Sequence, residues 1–380
     1  MRSQFIYSLI FCCLAGISLS PFVQAEQVNI QPHATAIKSV GLNGEGMEAA
    51  IAAVQALSRA DKSQLPELLA GMDGMQNVSA NWMRAAIETV ADQPAELPVE
   101  GLLNFLKEDG HSQFGRRLAY ELLVANDPAL KEKLLKGMLD DFSLENRYDA
   151  VQLYLQSVAE IDAAKEPELA KQGLRKALDY ARSIDQIKSI LKQLKTLEVE
   201  IDITERLGFI TDWYLIGPFD NTDESGFDVA YPPESKIDLK EKLPGKLGEV
   251  QWVKINSDEE MGKIDLTKLL DKHKGAITYA YKEFVSDKDQ PAEIRIGCIN
   301  AQKVWLNGEL VISNAVYHAG SSVDQYRSPI QLRKGKNAIL VKVCQNEQDQ
   351  DWAQSWEFQL RVCDDTGKSI YSQERTDKTL

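Results

Sequence analysis

The chain has 380 residues, 44% of them hydrophobic, with 43 Lys and Arg against 57 Asp and Glu. At roughly 150 residues per domain that length predicts two or so domains with ample cores, and the composition excludes a disordered or collagen-like chain. A net charge of −14 repels phosphate backbones and anionic head groups, and no basic patch reverses the sign, so nucleic acid and bare membrane are excluded as partners.

Residues 1–25 open with Met1-Arg2, continue through an apolar run from Phe5 to Leu19 and reach Val23-Gln24-Ala25 ahead of Glu26. A basic start, an apolar middle and a small residue at the cut predict a secretory signal peptide removed after Ala25, and hence a secreted or periplasmic product. The alternative is an uncleaved anchor, for which the run is short and broken by Ser8, Gly16 and Ser18. Lipidation at Cys12 or Cys13 would want a small residue where Phe11 stands. No later segment has the roughly 18 uninterrupted apolar residues of a membrane span. Cleavage leaves Cys298, Cys344 and Cys363, which is no disulfide framework and no zinc spacing. Buried free thiols are expected, one disulfide with a thiol left over being the alternative; a Cys344–Cys363 pair would sit at opposite ends of two antiparallel strands.

Residues 26–207 form the predicted α-helical domain. Apolar residues recur at three and four: Met47, Ile51, Val54, Leu57; Val99, Leu102, Leu103, Leu106; Leu118, Leu122, Leu123; Val151, Leu155, Val158. Arg84-x-x-Ile87, Arg116-x-x-Ala119 and Arg147-x-x-Ala150 repeat at intervals of 32 and 31 residues. Helix pairs at such a period predict a stacked solenoid, because one pair alone cannot bury its stripe; an irregular bundle is the alternative. Asn77-Val78-Ser79 matches a glycosylation acceptor but lies at a helix start, where Ser79 is expected to cap.

Residues 208–372 change period. Ile277, Tyr279, Tyr281; Ile294, Ile296, Cys298; Val304, Leu306; Ile339, Val341, Val343; and Phe358, Leu360, Val362 alternate, with Asn307-Gly308, Lys334-Gly335 and Thr366-Gly367 as turns. This predicts an antiparallel β-sandwich or jelly roll, with one short helix between Met261 and Leu270 and a charged tail at 373–380.

Two phrases are more specific. Val304-Trp305-Leu306-Asn307-Gly308-Glu309-Leu310-Val311 reads as strand, tight turn and strand, and the run Leu332 to Val343 as a turn feeding a buried strand. Together they resemble the galactose-binding-like β-sandwich, including the sugar-binding domain of family 2 glycoside hydrolases, over roughly residues 209–371. The helical repeats resemble HEAT-type repeats. The whole chain resembles a group of secreted bacterial proteins that join such repeats to such a sandwich through a Trp-x-Leu-Ile-Gly-Pro-Phe segment, here Trp213 to Phe219. The resemblance implies a fold and a compartment; fold analogy alone selects no ligand. A catalytic barrel of about 250 residues has no room in this half, so glycosidase chemistry is not implied.

Saccharide recognition pairs an aromatic face with amides and carboxylates. Trp352, in the polar run Gln345 to Trp352, is one candidate platform, against a plug on the sandwich rim. Tyr317 and His318, followed by Asp324, Tyr326 and Arg327, form another: His318 would donate to a hydroxyl, and Arg327 would meet an acidic sugar, against a structural Asp324–Arg327 pair. Trp305, opposite in face to Val304 and Leu306, is the third, against packing beneath another element. Asp220, Asp223, Glu224 and Asp228 crowd one loop and are weighed as a structural calcium site against a solvated acidic turn. Glu347 with Asp351, or His318 with Asp324, would be the acid–base pair of a hydrolase. The sequence assembles no catalytic or cofactor motif, so the expectation is a non-catalytic carbohydrate-binding protein whose helical repeats meet a protein partner. An envelope scaffold that binds only proteins is the alternative, and a hydrolase comes third.

Overall fold

The computed structural model describes residues 26–41 and 44–374. The signal-peptide reading, at 1–25, and residues 375–380 of the charged tail lie outside them. Among the described residues no helix is long and apolar enough to cross a membrane. Helices fill the N-terminal half and antiparallel sheets the C-terminal half. By compactness the chain forms two units, one running to Ala150 and one from Val151.

The first unit carries α1 (Ile30–Lys38), α2 (Met47–Leu57), α3 (Leu65–Ala70), α4 (Asn77–Ala91), α5 (Val99–Lys107), α6 (Gln113–Asn126), α7 (Leu130–Leu135) and the start of α8 (Leu144–Ala159). In α2 the expected stripe is rotated: Met47 and Ile51 are exposed, while Ala50, Ala53 and Leu57 are buried. Small residues let α1 and α4 pack closely on that face.

The three arginines of the spaced motif do not sit alike, and the cap of α4 is Gln76, with Ser79 the third residue of the helix. Ser112 caps α6 by accepting from Gly115 N, Ser143 accepts from Asn146 N at the start of α8, and Ser79 exchanges bonds with Gln76 at the start of α4. Four residues after these serines come Met83, Arg116 and Arg147, all buried, and three further on Ala86, Ala119 and Ala150, also buried. Arg116 pairs with Asp141 (2.7 Å) and donates to the carbonyls of Leu106 and Glu108; Arg147 donates to those of Asp140 and Asp141. Arg84 is instead the counterpart of Arg117. It lies on the surface, bonded to Glu88 and Glu121, as Arg117 is to Glu121 and Asp149.

The second unit continues through α9 (Pro167–Tyr180), α10 (Ile184–Thr196) and α11 (Ile203–Arg206) into the sheets. In chain order these are β1 (Asp212–Asp220), α12 (Pro232–Ser235), β2 (Lys242–Gly245), β3 (Gly248–Gln251), β4 (Val253–Asn256), β5 (Ile264–Asp265), α13 (Leu266–Leu270), β6 (Ala276–Ser286), β7 (Gln290–Cys298), β8 (Ala301–Leu306), β9 (Glu309–Asn314), β10 (Tyr326–Leu332), β11 (Gly335–Gln345) and β12 (Glu357–Cys363). The helix expected from Met261 to Leu270 is shorter: a 3-10 turn and β5 take up its first half, and Asp265 caps only Leu266–Leu270.

One sheet has the order β4-β1-β6-β11-β8-β9, the other β10-β7-β12-β5, and β2 and β3 form a separate hairpin. Between the two main sheets lie Leu215, Ala280, Phe284, Val304, Val341, Ile294, Ile296, Phe358 and Leu360. The alternation of β7, β8, β11 and β12 points inward as expected. That of β6 does not: Ile277, Tyr279 and Tyr281 lie on the outer face of the six-stranded sheet, under Phe227, Tyr231, Leu243 and Trp252. The segment between β1 and β4 thus covers that face. Fully buried Lys342 anchors it, with Nζ donating to the carbonyls of Phe227 and Val229 and pairing with Glu234 at 3.0 Å. The Asn307-Gly308 turn has both residues at positive φ, as a tight hairpin requires. Antiparallel register brings the end of β1, the starts of β6 and β8 and the end of β11 to one end of the sandwich.

Candidate functional site

Connections around residues 220–226, 271–275, 315–318 and 346–356 converge at that end. Two lysines tie them together through backbone oxygens. Lys246, in the β2–β3 turn, donates to Gly275 O (2.5 Å) and Lys274 O (3.2 Å) and pairs with Asp220 at 3.1 Å. Lys274 Nζ donates to Gln348 O (2.5 Å) and Ala353 O (2.8 Å), closing the loop that carries Trp352. Burial pulls the Lys274 ammonium below its ordinary pKa. Fully buried Asn221 donates to Gln345 O (3.0 Å) and to the Tyr317 hydroxyl (3.1 Å). Burial raises that phenol well above the usual range.

Over this base Trp352 stands 59% exposed. The ring of His318 meets it edge-on at 84°, with centroids 5.4 Å apart, and the Tyr317 ring is tilted against His318 with centroids 6.5 Å apart. Asn346 orients the histidine. Its amide nitrogen donates to Glu224 Oε1 (3.0 Å) and Gln348 Oε1 (3.2 Å), so its oxygen is the acceptor facing His318 Nε2 at 2.9 Å. That assigns a proton to Nε2; Nδ1 is buried without a hydrogen-bond partner. The result is an exposed indole met by an imidazole, behind which lie the Asn346 and Gln348 amides and the Glu224 carboxylate.

The structure thus joins Trp352, Tyr317 and His318 with Glu224 of the acidic loop. It separates the others. Asp324 does not pair with Arg327: it is held by Arg361 and Arg295 (3.1 Å) on the four-stranded sheet. Tyr326 packs against the inter-sheet core, and Arg327 is exposed on β10, opposite Arg295. Trp305 is half-buried against the outer-face cluster, beside Leu340. The acid–base pair of His318 with Asp324 is therefore not formed, and Glu347 accepts from the backbone of Asp223 (3.0 Å).

The loop weighed for calcium divides its carboxylates. Asp220 goes to Lys246 and Thr222, Asp228 to Lys303 (2.9 Å) and Glu224 to Asn346. Among the described residues no three His, Cys, Asp or Glu side chains are grouped to hold a metal. Asn221, Asn346, Lys246 and Lys274 were not singled out from the sequence, because their partners lie far along the chain. A cleft of about 570 Å³ lies at the other end of the sandwich, lined by Phe209, Asp212, Lys254, Asn256, Lys282 and Tyr371; Trp352 is not part of it.

No protein-family model matches the chain, and no curated protein matches it in sequence. Solved structures match in part. They include a β-glucosidase from Kluyveromyces marxianus in complex with glucose, at 16% identity and TM-score 0.26 over 41% of this chain and 16% of that chain. A β-glucuronidase from an uncultured Clostridium sp. matches at 12% identity and TM-score 0.24, over 41% and 28%. An anti-sigma factor domain-containing protein from Clostridium clariflavum matches at 12% identity and TM-score 0.23, over 44% and 50%. The chain spans half or less of the length of each. Scores of this size assign it neither a family nor a ligand.

Proposed function

We propose that the protein is a non-catalytic secreted or periplasmic carbohydrate-binding protein, in which a galactose-binding-like sandwich holds a saccharide against Trp352. The observation that carries this reading is the indole itself: a large apolar ring open to water, met edge-on by His318, which Asn346 in turn holds together with Gln348 and Glu224. A flat C–H surface with hydroxyls around it is the ligand such a face suits. The helical half is read as a HEAT-like solenoid that meets a protein partner, a reading supported by the recurring Ser, Met/Arg and Ala positions of α4, α6 and α8.

The test is a glycan array with the purified protein, followed by titration of tryptophan fluorescence. Trp352→Ala is expected to weaken saccharide binding at least about tenfold, the loss of about 1.4 kcal/mol. Because the ring is exposed, the thermal midpoint should barely move. An array on which no glycan binds overturns the reading. The exposed apolar side chains Met47, Ile51, Phe142 and Tyr148 favour a second reading, a scaffold that binds proteins alone. It predicts retention of an envelope protein by the wild-type chain and no fluorescence response to any saccharide.

A further inference from the structure

We propose that the Trp352 site takes saccharides that are neutral or carry a protonated amine, and turns away uronic and other carboxylated sugars; this rests on the reading of Trp352 as a saccharide platform. The argument is the distribution of charge around the ring. Exposed Glu347, Asp349 and Asp351 share its loop, and exposed Glu224 lies one hydrogen bond beyond Asn346. The lysines that reach this end from below are already committed. Lys246 is paired with Asp220, and Lys274, bonded to Gln348 O and Ala353 O with Asp349 as its neighbouring carboxylate, is one positive charge against the four carboxylates Glu224, Glu347, Asp349 and Asp351. Lys272 is exposed in the neighbouring loop, next in sequence to exposed Asp271.

The cation that would greet an acidic sugar, Arg327, is on β10 of the other sheet. A carboxylate brought onto Trp352 therefore meets more carboxylates than ammonium groups, while an ammonium meets net attraction from the same set. The net charge of −14 acts in the same direction at longer range.

The test uses three oligosaccharides on one β-1,4-gluco backbone: the neutral glucan, its 2-amino counterpart and its C6-carboxylate counterpart. Each is titrated by tryptophan fluorescence at low and at high salt. The expected order of affinity at low salt is amine, neutral, uronate, with roughly a fivefold step between them that shrinks as salt rises. The double variant Asp349→Asn/Asp351→Asn should narrow the neutral-to-uronate ratio. Uronate binding as tight as or tighter than the neutral glucan, or a ratio unmoved by salt and by the double variant, overturns this proposal and leaves the saccharide reading standing. No response to any of the three overturns both.

Discussion

Asp324 lies between Arg361 and Arg295, with Arg361 also donating to Leu207 O and Gly367 O and Arg295 pairing with Glu293. Burial alone would raise the carboxyl's pKa, but the two guanidinium groups outweigh it and hold it below the ordinary carboxylate value. Its contribution to stability is therefore complete above the unfolded-state value near 3.9 and is lost as pH falls through the lower folded value. Asp324→Asn leaves two nearly buried guanidinium groups short of an anion and is expected to cost about 3 kcal/mol in urea unfolding. The variant should also show a shallower loss of stability between pH 4 and pH 2, as orders of magnitude for an ordinary carboxylate range. Wild-type-like unfolding would show that the pairing is incidental. The residue was legible in the sequence but its partner was not. A neighbour three positions away, Arg327, suggested a local pair, whereas the actual partners are 29 and 37 residues distant.

At the scale of elements, Lys274 is an outside side chain that bonds the main chain of the loop between β11 and β12 at two places. Lys274→Met keeps the stem but removes both bonds to Gln348 O and Ala353 O. The expected result is faster hydrogen exchange across 346–354 and lower fluorescence anisotropy of Trp352, with exchange in β6 and β11 unchanged. Slow exchange in the loop of the variant would show that Lys274 is not what orders it. Periodicity made most strands legible, since apolar alternation reports one buried face. It misassigned β6 because both faces of that strand are covered, so Ile277, Tyr279 and Tyr281 alternate outward while Ala276, Ala280 and Phe284 fill the interior. In α2 the large residues drew the stripe, although the buried contact is made by alanines. The spaced arginines were legible but their surroundings were not: Arg116 and Arg147 are buried, whereas Arg84 lies on the surface and the buried neighbour before it is Met83.

Across the whole molecule, Cys298, Cys344 and Cys363 are free and buried, and burial pushes their thiols up to about 12, about 12 and about 11. Native protein is expected to resist thiol reagents at neutral pH and to expose all three thiols in denaturant. Rapid labelling of any one of them in the folded state would contradict the core assigned to the sandwich. The change from helix to sheet was readable from spacing alone, as was the aromatic at the site. The assembly of that site was not, because it depends on Lys246, Lys274, Asn221 and Asn346 meeting across turns that register brings together. The hold that Lys274 has on the Trp352 loop also bears on how the protein can change. It grips main-chain oxygens and ignores what the intervening side chains are. Positions 349–352 are thus free to drift without loosening the scaffold, and new specificities can arise there by substitution alone, whereas residues 276–281 of β6, buried on both sides, have few tolerated alternatives.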